Sequence, residues 1–120
     1  MPSVELRDLV QAVLSGDLLE AHQWIADARR ARLTWELLER PTNLDDREMA
    51  VAAGVAELLA ARAGSVPPAW ARSVPAQGQP VFLDPGIEEM PRTLEYAKRH
   101  APEPLRRRNL VAMPDFLDVR

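Results

Sequence analysis

A chain of 120 residues, 47% of them hydrophobic and 28% charged, has the balance of one globular domain rather than of a disordered segment. Aromatic residues make up only 5%, so the core must be built from Leu, Val and Ala, which favours closely packed helices over a β-sandwich. A formal charge of −3 exerts no long-range pull on nucleic acid or anionic membrane, and the lack of cysteine excludes disulfides, thiolate catalysis and zinc–thiolate sites.

The N-terminal stretch MPSVELRDLV lacks the basic start and unbroken apolar core of a signal peptide. The longest apolar run, Met49 to Ala61, is interrupted by Glu57 and falls far short of the roughly 20 residues that cross a bilayer. A cytoplasmic protein with no membrane contact is expected.

Ser3 is positioned to cap a first helix whose apolar stripe is Leu6, Leu9, Val10, Val13 and Leu14, and Gly16 ends it. Asp17 restarts the chain as a cap, with Glu20 three residues on, and Leu18, Ala21, Ile25 and Ala28 form the next stripe with Trp24 beside it. The short Ser-Gly junction predicts an antiparallel helical hairpin. Thr34 should open a brief turn, TWELLER, that stops before Pro41. Asp45 and Glu48 repeat the capping pattern ahead of AVAAGVAELLAARAG, the longest helix. Small residues surround Gly54 on several faces, which predicts a central helix approached closely from more than one side.

Residues 65–86 change character. Prolines at 67, 68, 75, 80 and 85 exclude a continuous helix and leave an ordered loop, pinned by Trp70 and Phe82, with a short strand possible at Val81–Leu83. A further helix should run from Pro91 to about His100, with Leu94 and Ala97 inward and Tyr96 alongside. Pro104 can open a turn carrying Arg106–Arg108, and Pro114 another carrying Phe116 and Leu117. The expected fold is therefore all-α: a small single-domain helical bundle over 1–120 with a long proline-rich loop. The one alternative element is a minor two-stranded pairing of Val81–Leu83 with Leu110–Ala112.

Catalytic signals are weak. His22 and His100 form no metal-binding or acid–base pairing, and the carboxylates Asp45, Asp46, Glu48, Glu88 and Glu89 sit where helix starts want negative charge. No nucleophile elbow or phosphate-cradling glycine loop is present. No enzyme activity, cofactor or metal is expected. Arg29, Arg30 and Arg32 close a helix, where cations suit the dipole. Arg106, Arg107 and Arg108 are less easily explained. Successive helical residues step about 100° around the axis, so one must turn toward the body and another outward. They serve either as a solvated helix end with one structural ion pair, or as permanently charged forks for a partner's carboxylate or phosphate. Carboxylates fit better than nucleic acid: the charge balance is acidic and no aromatics interleave with the basic residues. Trp70, in PPAW, is a loop plug on one reading and an interface anchor on the other.

With PPAW at 67–70, MPR at 90–92, PEPLRRRN at 102–109 and FLDV at 116–119, the chain resembles small bacterial antitoxin-like proteins encoded beside nucleotidyltransferase-like toxins. Its C-terminal segment is also similar to the tail of some helix-turn-helix antitoxins, although no helix-turn-helix is visible here. The resemblance covers residues 45–120 in pattern. It implies a protein that binds a toxin enzyme and neutralises it. Such enzymes hold catalytic metal ions with acidic side chains. The resemblance therefore implies that Arg106, Arg107 and Arg108 meet acidic groups of the partner, with Phe116 and Leu117 as apolar anchors beside them; Trp70 joins the candidate partner-binding residues on its anchor reading. The alternative is a nucleic-acid-binding transcriptional regulator without enzymatic activity.

Overall fold

Helix α3, Asp46–Arg62, is the axis of the protein, and twelve consecutive residues of it, Met49 to Ala60, are buried. A surface helix buries one stripe, whereas one buried on all sides must be covered all round. The computed structural model describes residues 5–118 and shows how that covering is assembled.

On one side lies the hairpin of α1, Leu6–Leu14, and α2, Leu18–Arg30. The expected stripes are the ones buried, including Leu9, Val10, Ala21, Ile25 and Ala28. Gly16 takes a left-handed conformation, φ 77°, and the Asp17 amide donates back to the Ala12 carbonyl at 2.9 Å, closing the helix end. The Asp17 side chain accepts from the Glu20 amide at 3.0 Å and starts α2. Glu5 occupies the cap position of α1 without a side-chain cap bond, and Ser3 lies outside the described residues. Trp24 donates its indole N–H to the Glu5 carbonyl at 2.9 Å and lies against Trp35, with ring centroids 6.2 Å apart. That contact ties the hairpin to the short 3-10 turn Trp35–Leu37.

The start of α3 has the reciprocal capping box read from its sequence. Asp45 accepts from the Glu48 amide at 2.8 Å, while the Glu48 carboxylate accepts from the Asp45 amide at 3.0 Å.

The proline-rich stretch is ordered but not wholly irregular. It contains one turn of helix, α4 at Ala69–Arg72, and a two-residue strand, β1 at Val81–Phe82. The strand pairs in parallel with β2, Leu110–Val111, placing Val81 opposite Leu110 and Phe82 opposite Val111. Between the strands the chain passes through the 3-10 turn Ile87–Glu89 and helix α5, Pro91–His100, with Pro91 at its first position. Single-turn α6, Glu103–Arg106, then leads into β2. The result is a small helical domain with a minor two-stranded sheet, and α5 packs through Ala97 against Ile87 and the strand residue Val111. Among the described residues no helix is long and apolar enough to cross a membrane.

Gly54 marks where the C-terminal segment meets α3. A Cβ at this position would stand 2.8 Å from Leu110 Cδ1 and 3.0 Å from Leu105 Cδ2. Both leucines are buried, so neither has room to withdraw. Elsewhere in a helix, Gly→Ala stabilises by about 1 kcal/mol. Here Gly54→Ala should instead destabilise, by about 1–2 kcal/mol net, and Gly54→Leu by more. Urea unfolding of the two variants gives the sign; a stabilised Gly54→Ala would mean that the segment does not approach α3 this closely.

Candidate functional site

The three arginines divide into different roles because α6 turns each one another way. Arg108 is only 2% exposed. It ion-pairs with Glu57 on α3, and its guanidinium donates to the Ala71 carbonyl at 2.6 Å and the Pro104 carbonyl at 3.0 Å. Arg107 is half exposed and also bonds to Glu57, with Glu103 3.9 Å away. Arg106 is exposed, and one of its N–H groups donates to the Arg99 carbonyl at 2.9 Å, near the end of α5.

Glu57 is the reason for the inward pair. It lies within the buried run of α3 and is 8% exposed, and an ionised carboxylate in such a place requires a partner. Burial pulls the Arg108 guanidinium below its ordinary pKa, against the opposing pull of Glu57. The hydrogen bond to Glu57 raises that of Arg107. Both remain cations, since a guanidinium does not deprotonate in proteins. Oε1 of Glu57 lies in ion-pair contact with Arg108 without hydrogen-bond alignment, and Nε of Arg108 has no acceptor. The cluster therefore has good charge balance and incomplete hydrogen bonding.

The apolar residues expected beside the arginines are also turned inward. Phe116 and Leu117 are 3% and 4% exposed and belong to the main core. Arg62 at the end of α3 donates to the Phe116 carbonyl at 2.5 Å and the Pro114 carbonyl at 3.2 Å, clamping the turn in place. Burial also draws the Arg62 pKa down, opposed by Asp118 and Asp115. Trp70 is partly buried against the core and donates its indole N–H to the Leu38 carbonyl at 2.8 Å, as a loop plug does. In this fold, Arg108, Phe116 and Leu117 cannot reach a partner without leaving their positions. Of the six residues expected at a partner surface, Arg108, Phe116 and Leu117 are turned inward. Arg106, the outer part of Arg107 and the uncovered part of Trp70 are what that set presents to solvent.

The structure adds two cations, Lys98 and Arg99, that the sequence reading did not single out. Lys98, Arg99 and His100 form the last turn of α5 and are all exposed, and Arg106 is bonded to the same helix end. Arg99 pairs with Glu95 at 3.1 Å, whereas Lys98 and Arg106 have no ion pair among the described residues. Exposed Tyr96 stacks on His100 with ring centroids 4.4 Å apart. Counting along the sequence would have found this corner. Residues 90–109 carry six Lys and Arg against two Glu, a formal +4, so the other hundred residues carry −7 of the total −3.

His22 is exposed on α2, away from any acidic group bonded to it, and Glu88 and Glu89 lie in the 3-10 turn before α5. Among the described residues no three His, Asp or Glu side chains gather into a metal-holding group. No protein-family model matches the chain, and no curated protein and no solved structure matches it.

The division of labour among the arginines has a measurable consequence. Arg108→Ala leaves buried Glu57 with only the half-exposed Arg107 and removes the donor to the Ala71 and Pro104 carbonyls; it should cost about 3 kcal/mol, whereas the double change Glu57→Met with Arg108→Met should recover most of that. Arg106→Ala should cost less than about 1 kcal/mol, because the bond it loses is exposed. Urea midpoints of the three variants decide it; equal losses for Arg106→Ala and Arg108→Ala would erase the distinction.

Proposed function

We propose that this chain is an antitoxin-like protein that binds and neutralises a nucleotidyltransferase-like enzyme, using its basic corner against the acidic side chains that hold the enzyme's metal ions. The observation that carries the reading is the charge segregation: a +4 stretch at residues 90–109 in a chain whose remainder is −7. Counting Glu57, which neutralises part of Arg107 and Arg108, still leaves three positive charges there. Isolated surface cations at a helix end are common, but their concentration in one stretch of an acidic protein, with Lys98 and Arg106 brought to one cleft, favours a partner with an acidic site. The resemblance supports the same class, since PEPLRRRN supplies Arg106 and Asn109 of this corner. In this reading the motifs are scaffold: Pro68 is buried, Trp70 is bonded to the Leu38 carbonyl, and Arg108 holds α3, α4 and α6 together.

The test begins with the tagged protein purified from its native cells at moderate salt, followed by mass spectrometry of whatever stays bound. The expected result is a stoichiometric nucleotidyltransferase-like enzyme whose expression alone arrests growth and whose co-expression with this chain does not. Recovery with nucleic acid only, in a complex whose affinity falls steeply with salt, would replace this reading with the transcriptional-regulator one.

A further inference from the structure

We propose that the cleft between α5 and the start of β2 seats an acidic segment of the partner protein, one that carries an apolar residue beside its carboxylates. The proposal rests on the reading that the chain binds a protein, and it names the surface and the chemistry of what enters.

The cleft has a volume of about 330 Å³ and is floored by Ala97, Ala101 and Val111, with Lys98, Arg106 and Asn109 among its polar lining. That is the small end of the range for ligand sites, enough for a few side chains of a peptide. Its two cations have no ion pair among the described residues, as is also true of Arg92 at the far end of α5. Arg99 is answered by Glu95 and Arg107 by Glu57, but Lys98 and Arg106 have no carboxylate among the described residues. Arg106 is also held in place. Its bond to the Arg99 carbonyl occupies one N–H and leaves others for an incoming carboxylate, so less side-chain freedom is lost on binding.

The apolar lining decides between ligand chemistries. A phosphate has no use for it, whereas a leucine or valine flanking a glutamate would pack against Pro80, the exposed apolar residue of the cleft, above the buried Ala97, Ala101 and Val111. Charge distribution points the same way. At about 0.1 M salt the screening length is roughly 10 Å, so a short acidic segment confined to this corner meets only its local positive charge. A long polyanion laid along a molecule 43 Å in its greatest extent would also meet the acidic remainder.

The cleft can be tested by titrating isotopically labelled protein with a synthetic peptide of alternating Glu and Leu and following amide shifts by NMR. Parallel titrations use the peptide with Gln for Glu, an oligothymidylate, and inorganic phosphate. The expected result is saturable movement at Ala97, Lys98, Ala101, Arg106 and Val111 with the acidic peptide. Lys98→Gln, which removes no ion pair among the described residues, should weaken it about tenfold. Arg106→Gln should do the same, and Arg30→Gln on α2 should change nothing. The proposal is overturned if the shifts are absent or spread over all exposed cations, or if the Gln peptide binds equally well. It is also overturned if oligothymidylate or phosphate produces the same pattern more tightly. Growth rescue separates this from the broader reading. A Lys98→Glu chain that rescues as well as wild type would sink the cleft alone, while a wild-type chain that fails to rescue would sink the antitoxin assignment whatever the peptide does.

Discussion

A single carboxylate in the middle of an apolar helix sets the terms for the C-terminal half of this protein. Glu57 lies within twelve consecutive buried residues of α3, and a charge in that position is tolerable only if cations are brought to it. Arg107 and Arg108 come from a segment fifty residues away, and Arg108 in turn reaches the carbonyls of Ala71 and Pro104. One guanidinium thus fixes α3, α4 and α6 against one another. Buried ion pairs add little net stability compared with well-packed apolar groups, but breaking one is costly. Here the pairing selects an arrangement: any sliding of the C-terminal segment along α3 separates the charges and drives Leu105 and Leu110 away from the space beside Gly54.

Much of the fold was legible because its local signals agree with its global packing. Asp17 and Asp45 announce helix starts, Gly16 and Gly64 follow helix ends, and the apolar spacing of the first two helices names the residues they bury. The parallel strands were visible only as a possibility, since two residues carry no periodicity and their partner is distant in sequence. Helix α4 was missed for a related reason: four residues between prolines are too few for any helical pattern to repeat. Arg32 closes α2 in the left-handed region, φ 53°, a position at which sequence rules look for glycine or asparagine.

The binding residues were less legible than the fold. Spacing shows that three successive arginines diverge, but it fixes no absolute direction, so the buried one could not be chosen from the turn alone. The missing clue lay elsewhere. Glu57, noted only as an interruption in an apolar run, was a buried charge in need of a cation, and it identifies its partners once the two segments are allowed to meet. Phe116 and Leu117 were ambiguous because a short apolar stretch after proline can plug a core or await a partner. The Arg62 clamp on the Pro114 and Phe116 carbonyls holds them in the former state. Lys98 stands apart from the run of arginines in sequence, and only the fold places it beside Arg106.

The dependence of α3 on residues far downstream also imposes an order of events during synthesis. When α3 emerges, the helical hairpin is already available to cover one side, but Gly54 and Glu57 face a segment not yet made. Until residues 104–117 have followed, the growing chain carries a bare small-residue face and an unanswered carboxylate. The charge that specifies the final fit also keeps that waiting face hydrated, and so makes it a poorer surface for premature association than an all-apolar helix would be.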